Sequence, residues 1–230
     1  MNKGILVGAN ERQEWLLPWW WSHFTKHSRL PVCFADFGLS ASMKNWCRER
    51  GTLLSISKND LLIKDRDEVD ALNVEIWEKR YPDTFWDARK AWFKKPLACL
   101  HTPFLVTAWI DLDCEIVGSL DALFKYSGVA VAKDQSASTY NSGVIVFAQK
   151  HPLIVQWAEQ SLIQNGAFRG DQDLLSHLIQ EGAWKITPLP PQFNWAVGYG
   201  KRQDIVIYHW LGDAAKAALR NEITLNSFEF

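Results

Sequence analysis

The sequence has no apolar segment that approaches the roughly 20 residues needed to span a bilayer. The apolar run near the start, Ile5-Leu-Val7, is too short for a secretory signal peptide. A net charge of -1 gives the chain no basic excess of the kind that nonspecific nucleic-acid binding requires. We therefore expect a cytoplasmic protein with no transmembrane segment and no nucleic-acid partner.

The four cysteines form no C-x-x-C pair, and each lies in or beside an apolar stretch. This pattern predicts buried free thiols rather than disulfides or a zinc site. In contrast, tryptophan is abundant, with 13 in 230 residues. Several fall in the segment from Trp15 to Trp21, which we expect to form part of the core.

The chain is long enough for one sizeable domain, and no linker, repeat or low-complexity segment divides residues 1–230. Short apolar runs alternate with helical patterns, which favours an α/β fold with a mainly parallel sheet flanked by helices. The polar segment 58–82 is left unassigned, and 188–195 reads as a rigid loop. Strands are predicted at 4–8, 32–35, 52–56, 104–110, 129–133, 144–148 and 205–210, and helices at 11–25, 42–50, 83–100 with a break near Pro96, 120–126, 152–164, 171–181 and 213–220.

Two carboxylates, Asp111 and Asp113, follow the apolar run that ends at Ile110. In an extended segment, residues two apart point to the same side, so both would converge at the carboxyl end of a buried strand. Open α/β sheets bind ligands at that edge. Two carboxylates there, joined by an imidazole such as His209, suit Mn²⁺ or Mg²⁺ better than a structural zinc.

The D-x-D pattern alone is weak, since a chain of this size contains about one by chance. Asp65-Arg-Asp67 is another example, and it lies in a charged stretch that is typical of solvated surface. The apolar approach to Asp111 distinguishes the mid-chain pair. Polar residues also end several other predicted strands, and strand ends of one sheet gather at one edge: Asn10, Asp36, Asn141 and His209.

The sequence resembles the GT-A glycosyltransferases, and most closely glycosyltransferase family 8. Five short motifs occur in the family's order, and together they extend over nearly the whole chain. They are Asp36-Phe-Gly-Leu-Ser40, Trp109-Ile-Asp-Leu-Asp113, Asn141-Ser-Gly143, Gly170-Asp-Gln-Asp-Leu-Leu175 and Tyr208-His-Trp-Leu-Gly212. The resemblance implies a GT-A fold and a metal-dependent hexosyltransferase that uses a nucleotide sugar, a UDP-hexose by preference, and retains the anomeric configuration.

The resemblance also implies the role of each site residue. Asp111, Asp113 and His209 would bind Mn²⁺ or Mg²⁺ on the nucleotide diphosphate. Asp171, Gln172 and Asp173 would flank the anomeric carbon as the catalytic cluster, although Asp171 could instead be a helix N-cap and Asn141 could merely shape a turn. The residues expected to contact the donor are Ala9, Asn10, Lys95, Asp111, Asn141, Ser142, Gly212 and Lys216.

One departure concerns the diphosphate contact on the last helix. The family places a lysine three residues after the glycine of the late motif, and here that position is Ala215, with Lys216 one residue later. Arg220 or Lys201-Arg202 could supply positive charge instead.

Two other functions remain open at this point: a noncatalytic protein that binds sugar nucleotides or carbohydrate, and a D-x-D phosphohydrolase. The phosphohydrolase motif belongs near the amino terminus and carries Thr or Val two residues after the second Asp, where this chain has Glu115. The acceptor, expected to be a saccharide or glycoconjugate, is not readable from the residues.

Overall fold

The computed structural model describes residues 3–56, 63–79, 81, 85–135, 139–182 and 184–225. Its main sheet has the strand order β3-β2-β1-β4-β7-β6-β8, and a small second sheet has the order β5-β10-β9. Four of the six pairings in the main sheet are parallel, and β7 pairs antiparallel with both β4 and β6. The strands are β1 (Lys3–Ala9), β2 (Val32–Asp36), β3 (Thr52–Ser55), β4 (Val106–Ile110), β5 (Cys114–Ile116), β6 (Val129–Lys133), β7 (Tyr140–Ala148), β8 (Ile186–Leu189), β9 (Trp195–Ala196) and β10 (Ile207–His209).

Apolar cores cover both faces of the main sheet. In β1, Ile5 and Val7 belong to one core and Leu6 to the other, as the two-residue period of a strand requires. All three are fully buried, which explains why β1 is a continuous apolar run rather than an alternating one.

The helices are α1 (Leu17–His27), α2 (Ala41–Arg48), α3 (Ala71–Glu78), α4 (Phe85–Leu100), α5 (Pro152–Ile163), α6 (Asp171–Glu181) and α7 (Asp213–Leu225).

The α/β class with a mostly parallel sheet is confirmed, and the predicted burial of the tryptophan-rich segment is confirmed for Trp19 and Trp20, whereas Trp15 and Trp21 are half-buried. Trp19 and Trp20 are 1% and 0% exposed and pack in the core beside β1. The four cysteines are free and buried, as predicted. None of the helices in the described part of the chain has the length and apolar character that crossing a membrane demands.

Several predicted boundaries are wrong. The first α-helix begins at Leu17 rather than near Glu11, after a turn and a short 3₁₀ segment, because Pro18 fits the first turn of a helix. The segment Asp121–Lys125 is a 3₁₀ helix, and α4 continues through Pro96 to Leu100 without ending there. The start of that helix at 83–84 lies outside the described residues.

Four of the named elements were not predicted: α3, β5, β8 and β9. Helix α3 lies within the polar segment left unassigned, and β8 overlaps the predicted rigid loop. Pro188 argues against a strand in the sequence, because proline cannot donate a ladder hydrogen bond. The strand tolerates it because β8 is at the edge of the sheet.

Candidate functional site

The segment after β4 forms a turn that presents two carboxylates to a cavity of about 590 Å³. The Asp111 amide donates to the Gly143 carbonyl at 2.8 Å, and the Cys114 amide donates to the Asp111 carbonyl at 3.1 Å, which closes the turn. The prediction of an extended segment from Asp111 to Asp113 is therefore wrong, since Leu112 and Asp113 are in a turn. Both carboxylates line the cavity nonetheless.

The small second sheet brings His209 to this turn. Strand β10 pairs antiparallel with β5, so that His209 is opposite Cys114. The His209 Nε2 lies 3.2 Å from Asp113 Oδ1 and 4.0 Å from Asp111 Oδ2. The structure thus brings the three predicted metal ligands together, although their binding of a metal stays a prediction.

Lys216 on α7 also reaches Asp113, with its Nζ 3.1 Å from Oδ2. Burial alone would raise the pKa of Asp113, but attraction to Lys216 and His209 outweighs it. The pKa of Asp113 therefore lies well below its usual range, and the carboxyl is ionised at neutral pH. An ionised carboxylate is the form that binds a hard cation.

Cys114 is a competing candidate for a metal ligand, because one ligand atom each from Asp113, Cys114 and His209 lies within 4.8 Å of the others. Burial, followed by the nearby carboxylates of Asp113 and Asp111, raises the pKa of the Cys114 thiol well above its usual value. A thiol that keeps its proton is a poor ligand. Carboxylate oxygens also suit Mn²⁺ or Mg²⁺ better than sulfur does.

Lys95, on α4, joins this turn to the amino end of α6. Its Nζ lies 3.0 Å from Asp111 Oδ1 and 3.2 Å from Asp171 Oδ2, and it donates to Ser142 Oγ at 3.0 Å. Burial would lower the pKa of Lys95, but the two carboxylates outweigh it and raise the pKa above its ordinary value. Lys95 is therefore a buried, permanent positive charge between two anionic groups.

Asp171 is the first residue of α6, and the N-cap is Gly170. The alternative that Asp171 only caps the helix is wrong, because its Oδ2 accepts a hydrogen bond from Ser142 Oγ at 2.8 Å. Next to it, Gln172 Oε1 accepts from the Ser142 amide at 3.1 Å. Asp171, Gln172 and Ser142 thus form one network beside Lys95, and none of these three is among the residues that line the 590 Å³ cavity.

The structure places Asp173 apart from Asp171. Residues two apart on a helix point in nearly opposite directions, since each residue turns the helix by about 100°. The Asp173 carboxylate accepts from Arg169 at 2.8 Å and lines a second cavity of about 220 Å³ beside Trp77 and Tyr81. Its role at the anomeric carbon stays a prediction.

The remaining predicted donor contacts differ in their access to the main cavity. Asn10 lines it, and its Oδ1 is buried without a hydrogen-bond partner among the described residues. Ala9 is buried in β1, Asn141 is buried in β7, and Gly212 is exposed with a φ of 84°. Of the predicted contacts, Asn10, Lys95, Asp111 and Lys216 therefore have direct access.

Sequence reasoning missed three tryptophans of the cavity wall, Trp15, Trp92 and Trp109, whereas it named Arg220 as an alternative source of positive charge. Arg220 lies over the Trp15 ring at 4.6 Å, and both line the cavity together with Trp92 and Trp109. The Trp109 indole donates to Asp111 Oδ1 at 2.6 Å. Tryptophan in an apolar run predicts burial, and nothing in its spacing distinguishes a cavity wall from a core position.

No protein-family model matches the chain, and no curated protein matches it in sequence. Solved structures do match. The galactosyltransferase LgtC, solved with donor and acceptor sugar analogs, matches with a TM-score of 0.67 at 13% identity, over 97% of this chain and 95% of its own. This chain has the GT-A fold.

Other glycosyltransferases of the same fold match this chain with comparable TM-scores and sequence identities. Mouse xyloside xylosyltransferase 1 matches with a TM-score of 0.57 at 14% identity, over 91% of this chain and 97% of its own. The glycosyltransferase GlyE of Streptococcus pneumoniae TIGR4 gives 0.62 at 13% identity, over 100% of this chain and 64% of its own. At these identities the similarity establishes the GT-A fold, and the activity must be argued from the site.

The pKa of Asp171 gives a first prediction, for stability. Burial raises this pKa, so the folded protein holds the proton more tightly than the unfolded chain, whose pKa is about 3.9. In wild type, Asp171 makes its full contribution to the free energy of unfolding below the unfolded pKa, and this contribution is lost as pH rises through the folded pKa. Asparagine does not titrate, so the Asp171→Asn variant does not lose stability in this way. We expect the free energy of unfolding of the variant, relative to wild type, to increase between about pH 4 and pH 7 in urea titrations.

Asp204→Asn is a control of opposite sign, since the hydrogen bond from Arg202 lowers the pKa of Asp204. In wild type, the contribution of Asp204 to the free energy of unfolding is present above the unfolded pKa and is lost as pH falls through the folded pKa. The free energy of unfolding of Asp204→Asn should therefore decrease relative to wild type as pH rises. A difference between Asp171→Asn and wild type that stays constant, or decreases, over the same interval would contradict the prediction for Asp171.

Proposed function

We propose that the chain is a metal-dependent glycosyltransferase that transfers a hexose from a UDP-sugar to a saccharide or glycoconjugate acceptor, with retention. The observation that carries this proposal is Lys95, whose Nζ joins the Asp111 carboxylate to the Asp171 carboxylate. A proposed metal ligand and a second acidic group are thereby adjacent at one edge of the sheet. The preference for UDP and the retention rest on the resemblance to family 8.

Cleavage of a sugar–phosphate bond develops negative charge on the leaving diphosphate and positive charge on the sugar. A bound Mn²⁺ or Mg²⁺ would stabilise the diphosphate charge. Asp111, Asp113 and His209 would hold this cation, since two carboxylates and an imidazole are a donor set that suits it. Lys216 and Arg220, both on the cavity wall, add positive charge at the same place.

Asp171, which shares Lys95 with Asp111, would supply negative charge where the sugar becomes positive, as carboxylates do in glycoside hydrolysis. Gln172, Asn141 and Ser142 would bind sugar hydroxyls, whereas Asp173 lies apart from them, paired with Arg169 at the second cavity. The base and ribose would lie against Ala9 and Asn10. The buried Asn10 Oδ1 supports this, because a buried acceptor without a partner is costly and a nucleotide N–H could satisfy it.

The test is release of UDP by purified protein from a panel of UDP-hexoses, with Mn²⁺ or with a chelator. Slow donor hydrolysis makes the assay independent of the unknown acceptor. We expect UDP release from at least one donor with Mn²⁺, and none with the chelator. Donor binding without release, across the panel and with candidate acceptors, would favour the noncatalytic binding protein. Absence of both binding and release would overturn the proposal.

A further inference from the structure

We propose that Asn194 is a positioning residue for the metal site, which holds the His209 ring with its proton on Nδ1 and leaves Nε2 free to bind a cation. This inference rests on the proposed metal-dependent function. Asn194 lies in the loop before β9 and is 5% exposed. The parallel pairing of β9 with β10 places this loop beside His209.

The direction of each hydrogen bond follows from one backbone group. The Gly143 amide can only donate, and it donates to the Asn141 side chain at 2.9 Å, so the atom it contacts must be Oδ1. Asn194 contacts the same Oδ1 at 2.8 Å and must present its Nδ2 there. The other amide atom of Asn194, its Oδ1, therefore faces His209 Nδ1 at 2.8 Å. Only a protonated Nδ1 can satisfy that oxygen.

The opposite ring nitrogen is directed at the carboxylates. In a neutral ring with a proton on Nδ1, Nε2 carries a lone pair, and it lies 3.2 Å from Asp113 Oδ1. A lone pair facing a carboxylate is unfavourable unless a proton or a metal cation lies between them. Histidine ligands of metals are commonly oriented by such a hydrogen bond from the second nitrogen.

Gly143 completes the arrangement by making room for the ring. A Cβ at this position would lie 2.2 Å from His209 Cε1 and 2.6 Å from His209 Nδ1. The ring is therefore packed against the backbone of β7 on one side and bonded to Asn194 at Nδ1. Asn194 is the member of this arrangement that can be changed without altering the backbone or a proposed ligand.

Three variants test the inference. Asn194→Leu keeps the approximate volume and removes the acceptor for Nδ1–H, whereas Asn194→Asp restores an acceptor. Asn45→Leu, at an exposed position on α2, is the matched control for an Asn-to-Leu change. The readouts are ¹⁵N NMR of the histidine imidazoles in metal-free protein at about pH 9, where the ring is ordinarily neutral, and calorimetric titration with Mn²⁺ alone.

We expect His209 to carry its proton on Nδ1 in wild type, Asn45→Leu and Asn194→Asp, and on Nε2, toward Asp113, in Asn194→Leu. The dissociation constant for Mn²⁺ should rise about 10- to 100-fold in Asn194→Leu, and at most about threefold in Asn194→Asp. A merely structural Asn194 predicts the reverse order, since a buried carboxylate beside Asn141 Oδ1 would disturb packing more than leucine does.

The wild-type spectrum decides the question even if a variant fails to fold. A proton on Nε2 in wild-type protein that binds Mn²⁺ would overturn the inference and leave the proposed function intact. Equal Mn²⁺ affinity in wild type and Asn194→Leu would do the same. Wild-type protein that binds no Mn²⁺ would overturn the metal-dependent function and, with it, this role of Asn194.

Discussion

Replacing Asp113 with asparagine is expected to lower Mn²⁺-dependent release of UDP from a UDP-hexose by about a thousandfold, or about 4 kcal/mol of transition-state stabilisation. Asparagine has nearly the same shape but lacks the negative charge that would hold the cation. Asp113 is also the carboxylate nearest to His209 Nε2, at 3.2 Å. The variant should therefore lose Mn²⁺ affinity in calorimetry along with its activity.

Asp121→Asn is a suitable control, because it makes the same chemical change at an exposed position in a 3₁₀ segment. It should leave UDP release and Mn²⁺ affinity unchanged. Near-ultraviolet circular dichroism of both variants checks that the tertiary fold is retained. Wild-type rates in Asp113→Asn would mean that Asp113 does not hold a catalytic cation, and the metal-dependent proposal would then fail.

Asp171→Asn is expected to lower the same UDP release about a hundredfold while leaving Mn²⁺ affinity nearly unchanged. Its carboxylate lies 3.2 Å from Lys95 Nζ and is not one of the proposed metal ligands. The lost charge would be the one that stabilises positive charge on the sugar. Activity and metal binding should thus separate in this variant, whereas they fall together in Asp113→Asn.

Asp173→Asn is the comparison for Asp171→Asn. Its carboxylate pairs with Arg169 and lines the second cavity. A direct interaction with the sugar would make the two asparagine variants equally slow, whereas the observed geometry predicts a loss about tenfold smaller for Asp173→Asn. If Asp171→Asn turned over at the wild-type rate while Asp113→Asn was inactive, the assignment of Asp171 to the sugar side would be wrong.

The sequence predicted the strands best where burial on both faces produces continuous apolar runs. β1 and β4 are examples, and each is followed by a polar residue that lines the cavity, Asn10 after β1 and Asp111 after β4. The convergence of Asp111, Asp113 and His209 was predicted for this reason, because strand ends gather at one edge. The detailed reason was wrong, since the two aspartates are in a turn rather than an extended segment.

Other features depend on tertiary contacts that local patterns do not encode. α3 lies in a segment rich in charge, and its buried face consists of Val74 and Trp77 packed against Phe85 of α4. Asn194 appeared only as part of a proline-rich loop, and its relation to His209 arises from the pairing of β9 with β10. Likewise, the sequence Asp171-Gln-Asp173 suggested a single acidic cluster. In the structure the two aspartates lie on α6 and point in different directions, and Asp173 lines the second cavity.

The most direct test of the account is a crystal structure of the protein grown with Mn²⁺ and UDP, with anomalous scattering used to locate the metal. We predict one Mn²⁺ bound by Asp111, Asp113 and the Nε2 of His209, with the UDP diphosphate as a further ligand in the 590 Å³ cavity. A metal bound by Asp113, Cys114 and His209 without Asp111, or a cavity that excludes UDP, would contradict it.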